Sequence, residues 1–108
     1  MWSAGDRVDE FRIEELLGEG GHCLVYRAVD EELGRAVALK VAAPEDGVAD
    51  DDLARRQARL CREARALARV QSSRVARVHG LRRVEGKGVV VVLEFVAGTT
   101  LARLLSRQ

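Results

Sequence analysis

The chain is poor in cysteine: of its 108 residues only Cys23 and Cys61 carry a thiol, and no C-x-x-C spacing occurs. Small disulfide-rich domains and structural zinc sites need more cysteines, or cysteines grouped with histidines at short spacing. The sequence therefore argues against both, and it favours a reducing cytoplasm as the location.

An excess of charge of one sign is also missing. Eighteen Lys and Arg residues oppose 17 Asp and Glu residues, which leaves a formal net charge of +1. Proteins that bind nucleic acid usually concentrate positive charge on one face. We expect no nucleic-acid partner, even for the arginine-rich segment 53–70, because Asp and Glu neutralise its neighbourhood.

Long apolar runs are absent as well. The longest spans residues 89–93, far fewer than the roughly 20 residues of a membrane-spanning helix. The N-terminus lacks the basic and apolar segments of a secretory leader. We therefore expect a soluble, cytoplasmic chain without a membrane span.

The composition, 47% hydrophobic and 32% charged, suits one small domain with a single core. Alternating or apolar segments predict strands over 11–17, 24–30, 35–42, 75–84 and 87–96, with Glu85-Gly86 as a tight turn between the last two. Helical spacing predicts a long helix over 53–70, which the aspartates at 50–52 would begin, and a short helix over 100–108. The predicted fold is α+β: a five-stranded antiparallel sheet with one packed long helix and the start of a further helix.

Two features of the predicted sheet indicate a functional site. A glycine turn, 18–21, joins the first two strands, where a dinucleotide-binding or P-loop motif would open a helix instead. Lys40, one of only two lysines, lies inside an apolar strand and needs a partner that offsets its desolvation. In the alternative interpretation, neither feature binds a ligand. The glycines would serve only the turn, and Lys40 would lie in an edge strand with its ammonium group in water.

Three motifs together, Gly18-Glu19-Gly20 followed by Val25, Val37-Ala38-Leu39-Lys40, and Glu63 in the long helix, resemble the protein-kinase signature. The chain looks most like bacterial serine/threonine protein kinases of the Hanks type. The resemblance implies an N-terminal extension over 1–10 and a kinase N-lobe over 11–108. It further implies that the His-Arg-Asp and Asp-Phe-Gly motifs, which these residues lack, belong to a C-lobe outside the chain.

The resemblance also assigns roles in ATP binding. Lys40 would contact the α- and β-phosphates and pair with Glu63, under a loop whose backbone approaches the phosphates. The implied nucleotide-binding residues are Leu17, Gly18, Glu19, Gly20, Gly21, Val25, Ala38, Lys40, Glu63, Leu93, Glu94 and Val96. In this set, Leu17, Val25, Ala38 and Leu93 would enclose the adenine, and the backbone at Glu94 and Val96 would bond its edge. Cys23 replaces the family's third loop glycine.

The resemblance implies ATP as cosubstrate and Mg²⁺ with ligands only in the missing C-lobe, so no catalytic or metal-binding residue is expected in this chain. The complete protein would transfer the γ-phosphoryl group of ATP to Ser or Thr of a protein substrate. The alternative is a free-standing, non-catalytic kinase-like lobe that binds a protein partner. Both interpretations expect an exposed apolar surface on the side facing the C-lobe, which would permit self-association.

Overall fold

The computed structural model describes residues 2–43, 50–70, 74–84 and 88–105. Its elements in chain order are β1 (Arg7–Val8), β2 (Phe11–Gly20), β3 (Cys23–Asp30), β4 (Arg35–Ala42), α1 (Asp50–Leu67), β5 (Val78–Val84), β6 (Gly88–Glu94) and α2 (Leu101–Leu105). The predicted turn at Glu85-Gly86 lies outside the described residues.

The strands of the described residues form one sheet in the order β1-β2-β3-β4-β6-β5, and every neighbouring pair is antiparallel. The predicted α+β class is confirmed, although the sheet has six strands in the described part of the chain where five were expected. The additional strand is β1, whose Val8 pairs with Phe11 and is buried. Its two residues are too short to produce a detectable alternation.

Strict alternation along the central strands divides the core into two clusters, one on each face of the sheet. On β4, Val37 and Leu39 belong to the first cluster, and Ala38 belongs to the second. Since successive side chains point to opposite faces, Lys40 shares the face of Ala38. The helix α1 supplies Leu60, with its neighbours, to this second cluster. The alternation of β4 therefore places Lys40 on the face that α1 covers.

The glycine segment is more extended than expected. Residues 18–21 were predicted as a turn, but β2 continues through Gly20, since Gly18 pairs with Val25 and Gly20 with Cys23. Only Gly21 and His22 form the turn, with φ of 59° and 63°. Two central residues with positive φ suit the twist of a two-residue hairpin.

Several other boundaries differ from those predicted. The long helix begins at Asp50 and ends at Leu67, three residues earlier at each end than the predicted 53–70. The strand expected over 75–84 begins only at Val78, and the strand expected over 87–96 is Gly88–Glu94. Within the described residues, the short helix is Leu101–Leu105, and Thr100 precedes it as a cap, accepting a hydrogen bond from Arg103 N at 3.3 Å.

Candidate nucleotide-binding site

Lys40 lies at the centre of the sheet. Its strand, β4, is flanked by β3 and β6, and Lys40 is paired with Val25 on one side and Val91 on the other. The residue is only 5% exposed. The interpretation of Lys40 as an edge-strand lysine that reaches water is therefore wrong.

A small cavity between the sheet and α1 brings the predicted phosphate-binding residues together. Lys40 and Glu63 both line it, and Leu60 and Leu67 line it from the same face of α1. Its volume is 10 Å³, about the minimum that holds one water molecule. Both ionisable groups therefore line one small cavity, in which Lys40 is buried and Glu63 is half-buried.

The predicted adenine-contacting residues form a continuous apolar wall. Val25 and Ala38 are completely buried, Leu93 is 3% exposed, and Leu17 packs against the same cluster. Ala38 is paired with Leu93 across β4 and β6. This wall also contains Leu104 of α2, which no sequence pattern had assigned to the site.

The glycines of β2 lie against α2. A Cβ atom built on Gly18 would lie 2.5 Å from Leu101 Cδ2, and one built on Gly20 would lie 3.1 Å from Leu105 Cδ1. Real Cβ atoms do not approach other carbons as closely as 2.5 Å, so a side chain at position 18 would displace Leu101. The packing of α2 is therefore sufficient to explain why position 18 is a glycine.

The tip of the hairpin is held to the end of β4. The His22 carbonyl accepts a hydrogen bond from Ala43 N at 2.8 Å. Gly21 lines a second small cavity with Glu63, so the tip lies near α1. Cys23 is buried and Glu19 is exposed. The Glu19 side chain therefore points away from the wall of Val25 and Ala38, and any role in the site would be a backbone role.

The end of β6 and the segment after it carry the backbone groups predicted to bond the adenine edge. Glu94 N donates to the Arg77 carbonyl at 2.8 Å. Val96 N donates to Thr99 Oγ1 at 2.9 Å, and Thr99 N donates to the Val96 carbonyl at 2.9 Å. Both backbone polar groups of Val96 therefore have partners within the chain.

The sequence interpretation did not foresee that α2 contributes charge to the site. Arg103 lines the cavity of Lys40 and Glu63, and its NH2 lies 3.8 Å from Glu94 Oε1. The Arg103 carbonyl accepts a hydrogen bond from Ala76 N at 3.3 Å. The sequence feature that could have predicted this contribution is the spacing of Leu101, Leu104 and Leu105, which places the three side chains on one face of a helix.

This arrangement of sheet, helix and glycine hairpin agrees with the comparisons to known proteins. Residues 11–108 match the protein kinase domain family. The chain belongs to the protein kinase family. Among its relatives are a probable serine/threonine-protein kinase of Clostridium acetobutylicum, 34% identical over 93% of this chain, and PknE of Mycobacterium bovis, 34% identical over 96%. The resemblance to bacterial serine/threonine kinases is confirmed.

Solved structures of kinases share the fold. The apo form of PpkA-294 superimposes with a TM-score of 0.74 at 32% identity, covering 94% of this chain and 41% of that chain. The PknI kinase domain of Mycobacterium tuberculosis gives a TM-score of 0.63 at 20% identity, which shows the fold alone; 89% of this chain and 36% of that chain are covered. The described residues thus form the fold of a kinase N-lobe.

The chain spans 14% of the length of the Clostridium relative and 18% of the length of PknE. Among the residues that the structure describes, no helix is both long and apolar enough to cross a membrane. In the same residues, no group of three or more His, Cys, Asp or Glu side chains is placed to hold a metal ion.

Proposed function

We propose that this chain is the ATP-binding lobe of a serine/threonine protein kinase, and that the complete protein transfers the γ-phosphoryl group of ATP to Ser or Thr of a protein substrate. One observation carries the proposal. A lysine that is only 5% exposed, in a central strand, lines one small cavity together with a glutamate from α1.

The physical argument starts from the cost of burying Lys40. An ammonium group loses its hydration when buried, and the fold retains it only where an anion or several acceptors compensate. Glu63 lines the same cavity and supplies one negative charge. A nucleotide phosphate would supply more, and Glu63 would then hold the direction of the Lys40 side chain toward it.

The surrounding residues fit the rest of a nucleotide. The apolar wall of Val25, Ala38 and Leu93 would contact the flat faces of an adenine. Gly18 and Gly20 would let the backbone of β2 approach the phosphates, with Glu19 and Gly21 contributing backbone N–H groups. Leu17, which belongs to β2, would close the pocket on that side.

Mg²⁺ would neutralise charge on the phosphates during transfer, and we propose that its ligands belong to residues outside this chain. The partners would then be ATP and a protein substrate rather than a nucleic acid, and the location would be cytoplasmic. Self-association through apolar surface, such as the 52% exposed Val96, remains a prediction that sedimentation of the chain would test.

The test compares ATP binding by the wild-type chain with binding by Lys40→Met, using isothermal titration calorimetry. We expect Lys40→Met to lose binding because the long apolar side chain keeps the volume of lysine but not its charge. Lys87→Met is the matched control, since Lys87 is the other lysine of the chain and was assigned no role. Far-UV circular dichroism would verify that both variants fold.

The same substitution in the complete protein should lower phosphoryl transfer to a protein substrate by roughly 100-fold or more, the effect of losing one electrostatic group in a catalytic site. Transfer or ATP affinity that Lys40→Met leaves at the wild-type level would contradict the proposal.

A further inference from the structure

We propose that a groove between α1 and the edge strand β5 binds a peptide segment that carries a phosphorylated serine or threonine. The described residues that line this arginine groove include Ala58, Cys61, Arg62, Arg65, Arg83 and Val89. Its volume of 450 Å³ lies in the range of sites that bind small ligands. The inference goes beyond the proposed function, because binding in this groove requires neither ATP nor Lys40.

The arginine groove lies on a different side of α1 from the nucleotide site. Ala58, Cys61 and Arg65 follow one another at spacings of three and four residues, so they share one face of the helix. Glu63 instead lines the cavity of Lys40 and the cavity beside the hairpin tip. The arginine groove is therefore a separate site.

The strands β5 and β6 supply the opposite wall of the groove. Arg83 is paired with Val89, and directly paired residues share one face of a sheet. Val89 is buried in the cluster that contains Leu60 of α1, and Arg83 is exposed beside it. The preceding residue, Arg82, lies on the other face, where its guanidinium group is 5.9 Å from the centre of the Phe11 ring. One arginine of β5 and two of α1 therefore face the same opening.

The groove carries positive charge without a compensating carboxylate. Among the described residues that line it there is no Asp or Glu, and Arg62, Arg65 and Arg83 are exposed and form no ion pair in this part of the chain. Other arginines do pair with carboxylates, among them Arg7, Arg12, Arg27, Arg55, Arg82 and Arg103. Three uncompensated guanidinium groups around one opening repel one another and attract an anion.

The number and type of these groups identify the anion. A guanidinium group donates paired hydrogen bonds to phosphate or carboxylate oxygens. Three such groups match a phosphate monoester, with its two charges and three terminal oxygens, better than they match a single carboxylate. The helix dipole alone would favour a cation at Arg65, which lies in the last turn of α1. That explanation does not extend to Arg83, which belongs to a different element.

The surroundings of the groove favour one phosphate on a peptide over a long polyanion. Asp51 and Asp52 are exposed at the beginning of α1, and Arg62 follows Asp52 by ten residues, which is about 15 Å along the helix. A nucleic acid that followed α1 would meet these carboxylates, whereas a single phosphate would not. The buried Cys61 and Val89 give the groove an apolar floor for a neighbouring side chain of the peptide. Phosphorylated Ser and Thr are also the products of the reaction proposed for the complete protein.

The experiment titrates the isotope-labelled chain with a short peptide of alanine and glycine that contains one phosphoserine, and it follows the backbone amide signals by NMR. We expect saturable shifts at Ala58, Cys61 and Val89. The same peptide with unmodified serine should bind about 10-fold more weakly or worse, because it lacks the charged group. A titration without saturable shifts at the groove would refute the proposal.

Arg65→Gln combined with Arg83→Gln should weaken binding of the phosphopeptide by about 10-fold or more. The matched control is Arg59→Gln combined with Arg69→Gln, which removes the same charge from two exposed residues that are not among the described lining residues. Equal weakening by the two double variants would show non-specific attraction and would overturn the assignment. Urea unfolding would verify that both variants fold.

Competitors identify the ligand class on the wild-type chain, so this part of the test does not depend on a variant that folds. Inorganic phosphate and a peptide with glutamate in place of phosphoserine should each bind more weakly than the phosphopeptide. Equal affinity for either would refute recognition of a phosphorylated segment. A short DNA duplex that binds more tightly than the phosphopeptide would overturn the peptide assignment in favour of a nucleic acid.

Lys40→Met separates this proposal from the nucleotide function. The variant should bind the phosphopeptide as the wild-type chain does, because Lys40 lines a different cavity. Loss of phosphopeptide binding in Lys40→Met would place the peptide in the nucleotide site and refute the groove. A chain that binds the phosphopeptide at the groove but fails to bind ATP would support this inference and contradict only the proposed function.

Discussion

Replacing Gly18 by Ala should destabilise this protein, yet the same change should stabilise a protein that already carries Leu101→Ala. The new Cβ would lie 2.5 Å from Leu101 Cδ2. Overpacking costs about 1–3 kcal/mol, and the low end applies here because the obstructing atom is the tip of a half-buried side chain. Without that obstruction, Ala in place of a strand glycine gains about 0.5–1 kcal/mol, since the unfolded chain loses freedom.

The assay is urea unfolding of wild type, both single variants and the double variant, followed by the fluorescence of Trp2. This residue is the only tryptophan of the chain, and its ring lies 5.0 Å from that of Tyr26 in the first cluster. The difference between the effects of Gly18→Ala in the two backgrounds should be about 1–3 kcal/mol, as for residues in direct contact. Gly20→Ala is the graded control, because its Cβ would lie at 3.1 Å from Leu105 Cδ1 and should cost less. Equal effects of Gly18→Ala in both backgrounds would refute the packing of α2 on the hairpin.

Three further substitutions test other parts of the fold by the same urea titration. Asp30→Ala should lower the free energy of unfolding by about 1–3 kcal/mol, because the buried Asp30 Oδ1 accepts two backbone N–H groups of the following turn; Asp30→Asn keeps an acceptor, and an equal loss there would contradict this reason. Gly88→Ala should cost about 1 kcal/mol or more, since φ is 81° and the new Cβ would lie 2.1 Å from Gln57 Nε2; full recovery on adding Gln57→Ala would disprove the backbone contribution. Arg82 NH2 donates to Glu10 Oε2 at 3.1 Å, and this bond lowers the pKa of Glu10. The ion pair therefore stabilises the folded state fully above the ordinary glutamate pKa near 4.3, and this stabilisation is lost as the pH falls through the lowered pKa. Glu10→Gln should therefore cost about 0.2–1 kcal/mol at pH 7 and flatten the acid side of the stability profile, and a profile that keeps its acid slope would count against the pair.

The sequence predicted those parts of the fold that depend on local patterns. The bounds of β4 agree with the predicted 35–42, because a short apolar run that follows a turn is typical of a strand buried on both faces. The same alternation puts Ala38 and Lys40 on one face, and the spacing of Leu60, Glu63 and Leu67 puts the glutamate on the side of α1 that meets the sheet. The cavity that contains Lys40 and Glu63 follows from these two periodicities.

The remaining features depend on contacts that no local pattern encodes. The short strand β1 exists because Val8 finds Phe11 as a partner, not because its two residues favour a strand. Residues 75–77 alternate like a strand, yet Ala76 is buried against α2, and its N–H donates to the Arg103 carbonyl instead of pairing in the sheet. The helical spacing of α2 was visible in the sequence, but spacing determines only which face is apolar, not which surface that face covers.

The glycines and the lysine therefore support different conclusions about the site. The leucines of α2 favour small residues at positions 18 and 20, and an apolar wall of Val25 and Ala38 suits any packed helix. Neither feature therefore demands a nucleotide. Packing of α2 gives no reason for a buried lysine, since a leucine at position 40 would suit an apolar cluster better. Lys40 and Glu63 consequently carry the argument for a bound phosphate.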